Sequence, residues 1–341
     1  MFYSEKCDEC GNCLMQCQYV DYSQELAIQE IHALKEGNDA DILKQCITCM
    51  ACNEYCIKGA NPYDLIVKLH EEKHIRLVPE EKVALIERTL ASVPNEIIEG
   101  DPDKPALNLC VMGHAYPANM TEGRLFDGLT RVKGGNYFSR IVYLHTGMGS
   151  RVREHAQNYI DNLAHLNKRE IIFAHDDCYT MAAKKAPEYG IRVPFKPVSI
   201  IEYLVNYLNK NTDAISRLGK RIAYQRPCIA RYLPEKEPFL DEFFTLAGVE
   251  RIDRTYDRRE ALCCGIGLRE TDPERGAKIL ELNLNDAIDN EAEAMVFSCP
   301  SCYCFMSQTC AERGLASIFI TDLCRMALGE LPFSSRPWGE S

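Results

Sequence analysis

The sequence predicts an α + α/β protein in which one helical N-terminal domain precedes two repeated small α/β domains. The first observation is a pair of cysteine runs joined by a segment of helical period. The second is an alignment of the chain with itself, which superimposes its middle on its last third. The third is that short apolar strands lead into cysteine or histidine loops. The expected boundaries are 1–100 for the helical domain, 106–212 and 218–330 for the two α/β domains, and 331–341 for a tail.

Composition limits the classes of protein that fit. The chain has 341 residues, enough for two or three domains, and 18 cysteines. Residues 1–6 lack the pattern of a secretory signal, so the cysteines predict metal ligation in a reducing cytoplasm rather than disulfides. A net charge of −11 argues against nucleic acid as a partner. No apolar run is long enough to span a bilayer, so any membrane association is expected through partner subunits.

Two cysteine runs define the helical domain. Both have the spacing Cys-x2-Cys-x2-Cys-x3-Cys, and their members are Cys7, Cys10, Cys13, Cys17, Cys46, Cys49, Cys52 and Cys56. This spacing is typical of 4Fe-4S ligands, and the fourth cysteine of each run usually binds the cluster of the other run. We therefore predict two 4Fe-4S clusters close together, with paired zinc sites as the alternative. Gln18 and Ile57 stand where proline usually follows such a run.

Helices are predicted between and after the two runs. Asp21 and Ser23 are candidate caps of the first helix, which Gly37 would end. Its apolar stripe consists of Leu26, Ile28, Ile31 and Leu34. A second helix begins at Asn61-Pro62, with Leu65, Ile66 and Leu69 on its apolar face, and a third covers 80–90. Residues 101–105 contain two prolines and three charges, which predicts a linker.

Five thiols are spread evenly over the last α/β domain. Thirty-four residues separate Cys228 from Cys263, and another thirty-four separate Cys264 from Cys299, which Cys302 follows. Adjacent cysteines can face one point only through a sharp turn, which Gly265 permits. Five thiols exceed the four that a tetrahedral zinc or a cubane cluster needs, which favours an unusual cluster. Buried reduced cysteines, or a zinc ion on four of them, are the alternatives.

These residues resemble the cysteine-rich CCG domain of the catalytic subunit of heterodisulfide reductase. The same domain occurs in iron–sulfur subunits of glycolate, lactate and glycerol-3-phosphate dehydrogenases. The pattern of a cysteine, a Cys-Cys-Gly turn and a Cys-x-x-Cys loop is matched in full. The resemblance implies one noncubane 4Fe-4S cluster that cleaves a disulfide, with Cys228, Cys263, Cys264, Cys299 and Cys302 as both ligands and catalytic residues. The helical link between the first two runs is similar to the α-helical ferredoxin domain of heterodisulfide reductase and of succinate dehydrogenase.

The first α/β domain is predicted to be a degenerate copy of the second. Its residues 144–151 align with 262–269, 173–179 with 297–303, and Gly113-His114 with Pro227-Cys228. Potential ligands then occupy four of the five ligand positions, namely His114, His145, His175 and Cys178, and Thr146 stands at the fifth. These side chains suit one zinc or iron ion, and hydrogen bonding of the imidazoles to Asp176 and Asp177 is the alternative.

Other residues of the two copies carry secondary expectations. Ser150 is a candidate cap for a helix whose stripe is Val152, Ala156, Tyr159, Leu163 and Leu166. Asp272 is the candidate cap of the equivalent helix, whose stripe is Ala277, Leu280, Leu284, Ala287 and Ile288. Cys110, Cys310 and Cys324 are expected to be small buried hydrophobes, and Cys304 a spare ligand. The tail, which contains Pro337 and Trp338, is expected to be disordered or to lie on a partner.

The sequence therefore predicts an oxidoreductase subunit of an anaerobic, heterodisulfide reductase-like complex. The glycine pairs near 147 and 265 lack the third glycine of a dinucleotide fingerprint, so electrons are expected from another subunit. The expected partners are a flavoprotein or other redox subunits, a quinone-linked membrane subunit if one exists, and a thiol or disulfide substrate. The alternative is an electron-transfer subunit of a flavin-dependent organic-acid or acyl-CoA oxidoreductase, without a substrate of its own.

Overall fold

The computed structural model describes residues 1–75 and 78–336, and it combines helices with two mainly parallel sheets. Residues 1–75 contain helices and no strand. The N-terminal helices are α1 Asn12–Met15, α2 Gln24–Lys35, α3 Ile42–Gln45, α4 Ala51–Tyr55, α5 Pro62–Glu72 and α6 Glu80–Ala91. Among the described residues, no helix has both the length and the apolar character needed to cross a bilayer.

Helix α2 forms where the sequence predicts it, with one correction to its buried face. The hydroxyl oxygen of Ser23 accepts a hydrogen bond from Leu26 N at 3.2 Å, which caps the helix. Ile31 and Leu34 are buried as predicted, whereas Leu26 and Ile28 are exposed. The helix is therefore rotated relative to the predicted stripe.

Five strands form the first sheet: β1 Glu96–Ile98, β2 Ala106–Asn108, β3 Thr130–Lys133, β4 Glu170–Phe173 and β5 Lys196–Ser199. Their order is β1-β3-β2-β4-β5, in which β1 is antiparallel and the other strands are parallel. The helices of this part are α7 Gly149–Ala164, α8 Asp176–Thr180, α9 Ala186–Glu188 and α10 Ile200–Lys210. Asn108 pairs with Phe173, which pairs with Ser199, so three strands end at one edge.

Four parallel strands form the second sheet: β6 Lys220–Gln225, β7 Val249–Arg251, β8 Ala294–Phe297 and β9 Ala316–Phe319. Their order is β7-β6-β8-β9. The helices of this part are α11 Glu237–Ala247, α12 Pro273–Asp289, α13 Pro300–Glu312 and α14 Ile320–Ala327. Gln225 pairs with Phe297, which pairs with Phe319, so this sheet also ends its strands at a common edge.

The two sheets share one topology. Without β1, the order β3-β2-β4-β5 of the first sheet repeats the order β7-β6-β8-β9 of the second, strand for strand along the chain. This agrees with the repeat seen in the sequence. Residues 101–105 form neither helix nor strand, as predicted, but β1 lies before them and belongs to the first sheet. The first sheet therefore reaches across the predicted linker, and the division into three domains stays a prediction.

Helix α7 has the predicted buried face but not the predicted cap. Ser150 lies inside the helix, and its backbone N–H and hydroxyl both donate to the Glu71 carboxylate of α5. The helix ends before Leu166. The remaining members of the predicted stripe are buried: Val152, Ala156, Tyr159 and Leu163.

Helix α12 has the predicted cap and most of the predicted buried face: Leu284 and Ala287 are buried, and Leu280 and Ile288 are half-buried. The Asp272 carboxylate caps it, as expected. The predicted Ala277 is exposed, while Gly276 and Asn283 are buried. Asn283 Nδ2 donates to Gln225 Oε1 at 2.5 Å, so this face carries a polar contact that an apolar pattern cannot predict.

The carboxyl edges of the two sheets face each other. Ser298, which follows β8, donates its hydroxyl to Asp176 Oδ2 at 3.0 Å, at the start of α8. Tyr116 packs edge-on against Phe319, with ring centroids 5.5 Å apart. Loops at strand ends are where α/β folds usually carry their chemistry, so both sets of candidate ligands lie at this junction.

The described part of the tail lies against the second sheet. Ser335 Oγ accepts a hydrogen bond from Ser317 N at 2.8 Å, and Arg336 O accepts one from the Tyr303 hydroxyl at 2.7 Å. Residues up to 336 are therefore ordered by contacts within the chain. Pro337 and Trp338 lie outside the described residues.

A buried ionic network joins the helical part to the second sheet. Glu54 of α4 accepts two hydrogen bonds from Arg226, at 2.7 and 3.1 Å, and one from Arg231 at 2.9 Å. The arginine side chains are 2% and 3% exposed and flank Cys228. Arg231 Nη2 also donates to Ala261 O at 2.6 Å. The network holds the second cysteine run close to the five-thiol loops.

We expect Glu54→Gln to lower the free energy of unfolding by about 3 kcal/mol, because two buried guanidinium groups lose their shared counter-charge. Anaerobic urea denaturation measures this change. The control is Glu72→Gln, whose carboxylate pairs with Lys68 at 3.6 Å on the exposed surface and which should change stability by less than about 0.5 kcal/mol. Equal effects of the two substitutions would contradict this role for the network.

Candidate metal centres

Four thiols drawn from both N-terminal runs line one cavity at the surface of the helical part. They are Cys7, Cys10, Cys13 and Cys56. Gly11 turns the chain there with φ +72°, and a Cβ at this position would lie 2.8 Å from Ile28 N, so glycine is required. Ala60 N donates to Cys56 Sγ at 3.4 Å. The fourth thiol thus comes from the other run, as the spacing predicts.

The other four cysteines of the two runs are electrostatic neighbours of one another. They are Cys17, Cys46, Cys49 and Cys52. Thr48 N donates to Cys46 Sγ at 3.4 Å, with Thr48 in a left-handed conformation (φ 62°). We name the first set the outer group and this set the inner group, because the thiols of Cys46, Cys49 and Cys52 are enclosed by protein, whereas that of Cys7 is only partly enclosed.

The chemistry of both groups fits iron–sulfur ligation. Burial raises the pKa of the Cys13 and Cys46 thiols to about 12, and neighbouring thiols add to the effect for Cys13. Four such thiols can ionise together only if a cation compensates their charge. The backbone N–H groups that point at Cys46 and Cys56 are donors of the kind that stabilise cluster thiolates.

The five thiols of the last third of the chain meet at the carboxyl edge of the second sheet. Cys228 begins a short helical turn after β6, and Cys299 and Cys302 lie at the start of α13. Cys263 and Cys264 precede Gly265, whose φ of +89° makes the predicted sharp turn. A Cβ on Gly265 would lie 3.0 Å from Gly276 O, so α12 packs directly on this turn.

These five thiols form a row in which each contacts the next, in the order Cys228, Cys263, Cys264, Cys302, Cys299. Contact with the thiols of Cys228 and Cys264 lowers the pKa of Cys263 well below its usual value. Contact with Cys302 likewise lowers the pKa of Cys299. The same contacts raise the pKa values of Cys228, Cys264 and Cys302. A row of buried thiols that cannot all ionise together is a donor set that fits a multinuclear cationic centre.

The first sheet brings together a different ligand set from the one that the sequence predicts. Cys110, His175 and Cys178 are fully buried, and their ligand atoms all lie within 4.8 Å of one another. His114 is instead exposed in a short helical turn, 113–115. His145 Nδ1 lies 3.1 Å from the hydroxyl oxygen of Thr48. The predicted set is therefore corrected: Cys110 stands where the alignment placed His114, and His145 contacts the helical part.

One signal in the sequence could have identified Cys110. It follows β2 by two residues, as Cys228 follows β6 by three, and β2 and β6 are equivalent strands. Alignment by strand ends would have placed Cys110 one residue from the position of Cys228, closer than His114, which follows β2 by six residues. Cys110 is also a non-glycine residue with a positive φ of 58°, which the loop geometry imposes.

His175 connects this set to the five-thiol row. Its Nε2 lies 4.0 Å from Cys299 Sγ and 3.7 Å from Asp177 Oδ2, and its Nδ1 is buried without a hydrogen-bond partner. Although burial opposes it, Asp177 and the surrounding thiols raise the pKa of His175 well above its usual value. Although burial again opposes it, Cys110 and His175 lower the pKa of Cys178. Two thiols and one imidazole form a donor set that fits zinc or iron, with one tetrahedral position left over.

The remaining cysteines lie apart from these sets. Cys310 and Cys324 are buried, as expected for small hydrophobes. Cys304 is half-buried on α13, and within the described chain its charged neighbour is Arg269 rather than a thiol. The prediction of Cys304 as a spare ligand gains no support from this position.

A cavity of about 370 Å³ lies against the segment that follows the Cys-Cys-Gly turn. Its wall combines Cys46 and Thr48 of the helical part, His145 of the first α/β part, and Leu268 and Arg275 of the second. All three parts of the chain therefore contribute to it, and Cys46 of the inner group is the thiol in its wall.

The second α/β part of the chain matches a known cysteine-rich domain. Residues 222–307 match the family model of the CCG cysteine-rich domain. This range contains most of β6, the Cys-Cys-Gly turn, β8 and the Cys-x-x-Cys loop. The matched range therefore includes all five thiols of the row.

The relatives are similar over most of the chain. This chain is 20% identical to the D subunit of dihydromethanophenazine:CoB–CoM heterodisulfide reductase from Methanosarcina acetivorans. The alignment is 359 positions long and covers 87% of this chain and 87% of the relative. This chain is also 20% identical to the same polypeptide of Methanosarcina barkeri, over 82% of this chain and 74% of that protein. The chain is thus a CCG-domain protein that resembles the D subunit of heterodisulfide reductase.

Proposed function

We propose that this chain is the iron–sulfur subunit of a heterodisulfide reductase-like complex and that it reduces or forms a disulfide. The observation that carries the proposal is the row of five buried thiols at the edge of the second sheet, in which each thiol contacts the next and Cys228 neighbours Cys49 of the inner group. Similarity to the D subunit of heterodisulfide reductase supports the same class of chemistry.

In this proposal the outer and inner groups each hold one 4Fe-4S cluster, and the five-thiol row holds a noncubane cluster. When bound, that cluster would supply iron sites that take up the sulfurs of a disulfide as thiolates. Cleavage of a disulfide to two thiols consumes two electrons and two protons, and a single electron would leave a costly thiyl radical.

The positions of the thiols set the order of the centres. Cys7 and Cys10 of the outer group are partly exposed, so an external donor reaches this group first. The inner group lies deeper, and its Cys49 is an electrostatic neighbour of Cys228 in the five-thiol row. The direction outer, inner, five-thiol therefore follows increasing burial for electrons that enter from a partner.

The surroundings of the five-thiol row exclude bulk water. Cys263, Cys264, Cys299 and Cys302 are each at most 8% exposed. The 370 Å³ cavity against the segment that follows the Cys-Cys-Gly turn is the space through which we propose that a thiol or disulfide approaches. Thr48 fixes His145 in its wall, where a neutral or charged imidazole can donate a hydrogen bond to an incoming polar group.

The proposed metal site of the first sheet is a single zinc or iron ion on Cys110, His175 and Cys178. We expect Cys110→Ser to lose about one ion per chain while the iron of the other centres stays, because the site would keep two of its three protein ligands. His114→Ala, which changes the exposed histidine, should retain the ion. Elemental analysis of anaerobically purified protein makes the comparison, and loss of the ion from His114→Ala alone would contradict the assignment.

The proposal implies partners. Since the chain offers thiol ligands but no dinucleotide fingerprint, a flavoprotein or another redox subunit would supply or accept the electrons. We propose a cytoplasmic location, with any contact to a membrane made through a quinone-linked subunit of the complex.

Electron paramagnetic resonance of the oxidised protein, titrated with thiols, tests the function. We expect a paramagnetic signal that appears on thiol addition and that differs in shape from the cubane signals. A protein with a full iron content but no thiol-dependent signal would instead be an electron carrier, and disulfide chemistry would be excluded.

A further inference from the structure

Tyr19 bridges the inner group and the five-thiol row. It lies two residues after Cys17, and the backbone N–H groups of Tyr19 and Val20 hydrogen-bond to the Cys17 thiol. At the other end of the same residue, the hydroxyl oxygen accepts a hydrogen bond from Cys263 N at 2.9 Å. One residue therefore contacts a ligand of the inner group through its backbone and a residue of the five-thiol row through its side chain.

The hydroxyl group of Tyr19 can still donate a hydrogen bond. Its oxygen is used as an acceptor by Cys263 N, so its O–H remains free to donate. The thiols of Cys49, Cys263 and Cys228 are its electrostatic neighbours, so the free O–H lies among sulfur ligands.

The position of Tyr19 is fixed from the second α/β part. Arg275, in the first turn of α12, donates from Nη2 to Tyr19 O at 2.8 Å and from Nη1 to Gln45 O at 3.1 Å. The neighbouring Gln18 donates from Nε2 to Glu260 O at 2.8 Å. This contact also gives a structural role to the residue that replaces the usual proline after Cys17.

We propose that Tyr19 is a positioning residue that sets the reduction potential of the five-thiol centre and couples it to the inner group. The proposal rests on the proposed presence of clusters at both sites. A hydrogen-bond donor near cluster sulfur stabilises the reduced, more negative state and raises its potential. The connected path runs from the Cys17 thiol through the N–H, ring and hydroxyl of Tyr19 to the N–H of Cys263.

Tyr19→Phe tests the proposal because it removes only the hydroxyl. We expect the iron content to stay unchanged, the midpoint potential of the five-thiol centre to become more negative, and its reduction after the cubane clusters to slow about ten-fold, the scale of outer-shell substitutions. Redox titration and freeze-quench electron paramagnetic resonance measure the two effects. The control is Tyr203→Phe on α10, whose hydroxyl donates to Leu125 O at 2.5 Å and whose loss should change neither quantity.

Failure of this proposal about Tyr19 can be distinguished from failure of the proposed disulfide chemistry. Both readouts are taken without a disulfide, so they stand even if the wild-type protein gives no thiol-dependent signal. Unchanged potential and rate in Tyr19→Phe, or loss of iron from that variant, would overturn the proposal. Partial rescue by Tyr19→His, which restores a donor at this position, would support it.

Discussion

Cys302→Ser is expected to lose about four irons per chain, the content of one cluster, and with them every response to added thiol. Cys302 lies in the row between Cys264 and Cys299 and contacts both. A serine hydroxyl is a poor substitute for a soft thiolate at iron, and loss of the Cys302 thiol would separate Cys299 from the other three thiols of the row. The eight cysteines of the outer and inner groups are not touched by the change, so their signals should remain.

Cys304→Ser is the matched control for this prediction. It makes the same chemical change two residues further along α13, at a half-buried position outside the row. We expect full iron content and a normal thiol response from this variant. If Cys302→Ser keeps its iron, or if Cys304→Ser loses as much, the five-thiol assignment is wrong.

Substitution of the fourth cysteine of either run is expected to cause a similar loss of iron, but from the cluster of the other run. The structure groups Cys56 with Cys7, Cys10 and Cys13, and Cys17 with the second run. We therefore expect Cys56→Ser to damage the outer cluster and Cys17→Ser to damage the inner one, each with loss of up to about four irons.

Two reference variants show which cluster is damaged in Cys56→Ser and in Cys17→Ser. Cys10→Ser marks the spectrum of a damaged outer cluster, and Cys49→Ser marks that of a damaged inner cluster. The low-temperature spectrum of Cys56→Ser should match the first reference, and that of Cys17→Ser the second. The reverse match would mean that each run closes its own cluster, contrary to the geometry.

Ligand spacing was the part of this molecule that the sequence predicted best. The grouping of the eight N-terminal cysteines, the sharp turn at Gly265 and the repetition of a small α/β unit all follow from spacing that a single sequence displays. The cap of α2 at Ser23 is also a local interaction and was correctly predicted.

The errors concern residues whose roles depend on contacts far along the chain. Cys110 was expected to be a buried hydrophobe because the loop after β2 aligns poorly with the loop after β6. His145 was expected to be a ligand, but it contacts Thr48, which lies 97 residues earlier. Ala277 was placed on the buried face of α12, whose orientation is set by the packing of Gly276 against Gly265.

The contacts between the helical part and the second sheet could not be predicted either. Nothing in the local sequence distinguishes Glu54, Arg226 and Arg231 from ordinary surface charges. They are buried because the helical part packs against the second sheet. Tyr19 likewise reads as an aromatic residue in a loop. Its importance follows from the position of Cys263, which is 244 residues away in the sequence.

Iron and acid-labile sulfide per chain, measured in anaerobically purified protein together with its Mössbauer spectrum, test the central claim most directly. Two cubane clusters and one noncubane cluster predict about twelve irons, with about a third of them in a spectral component distinct from the cubanes. About eight irons, all in cubane clusters, or a zinc ion on the five thiols, would contradict the account.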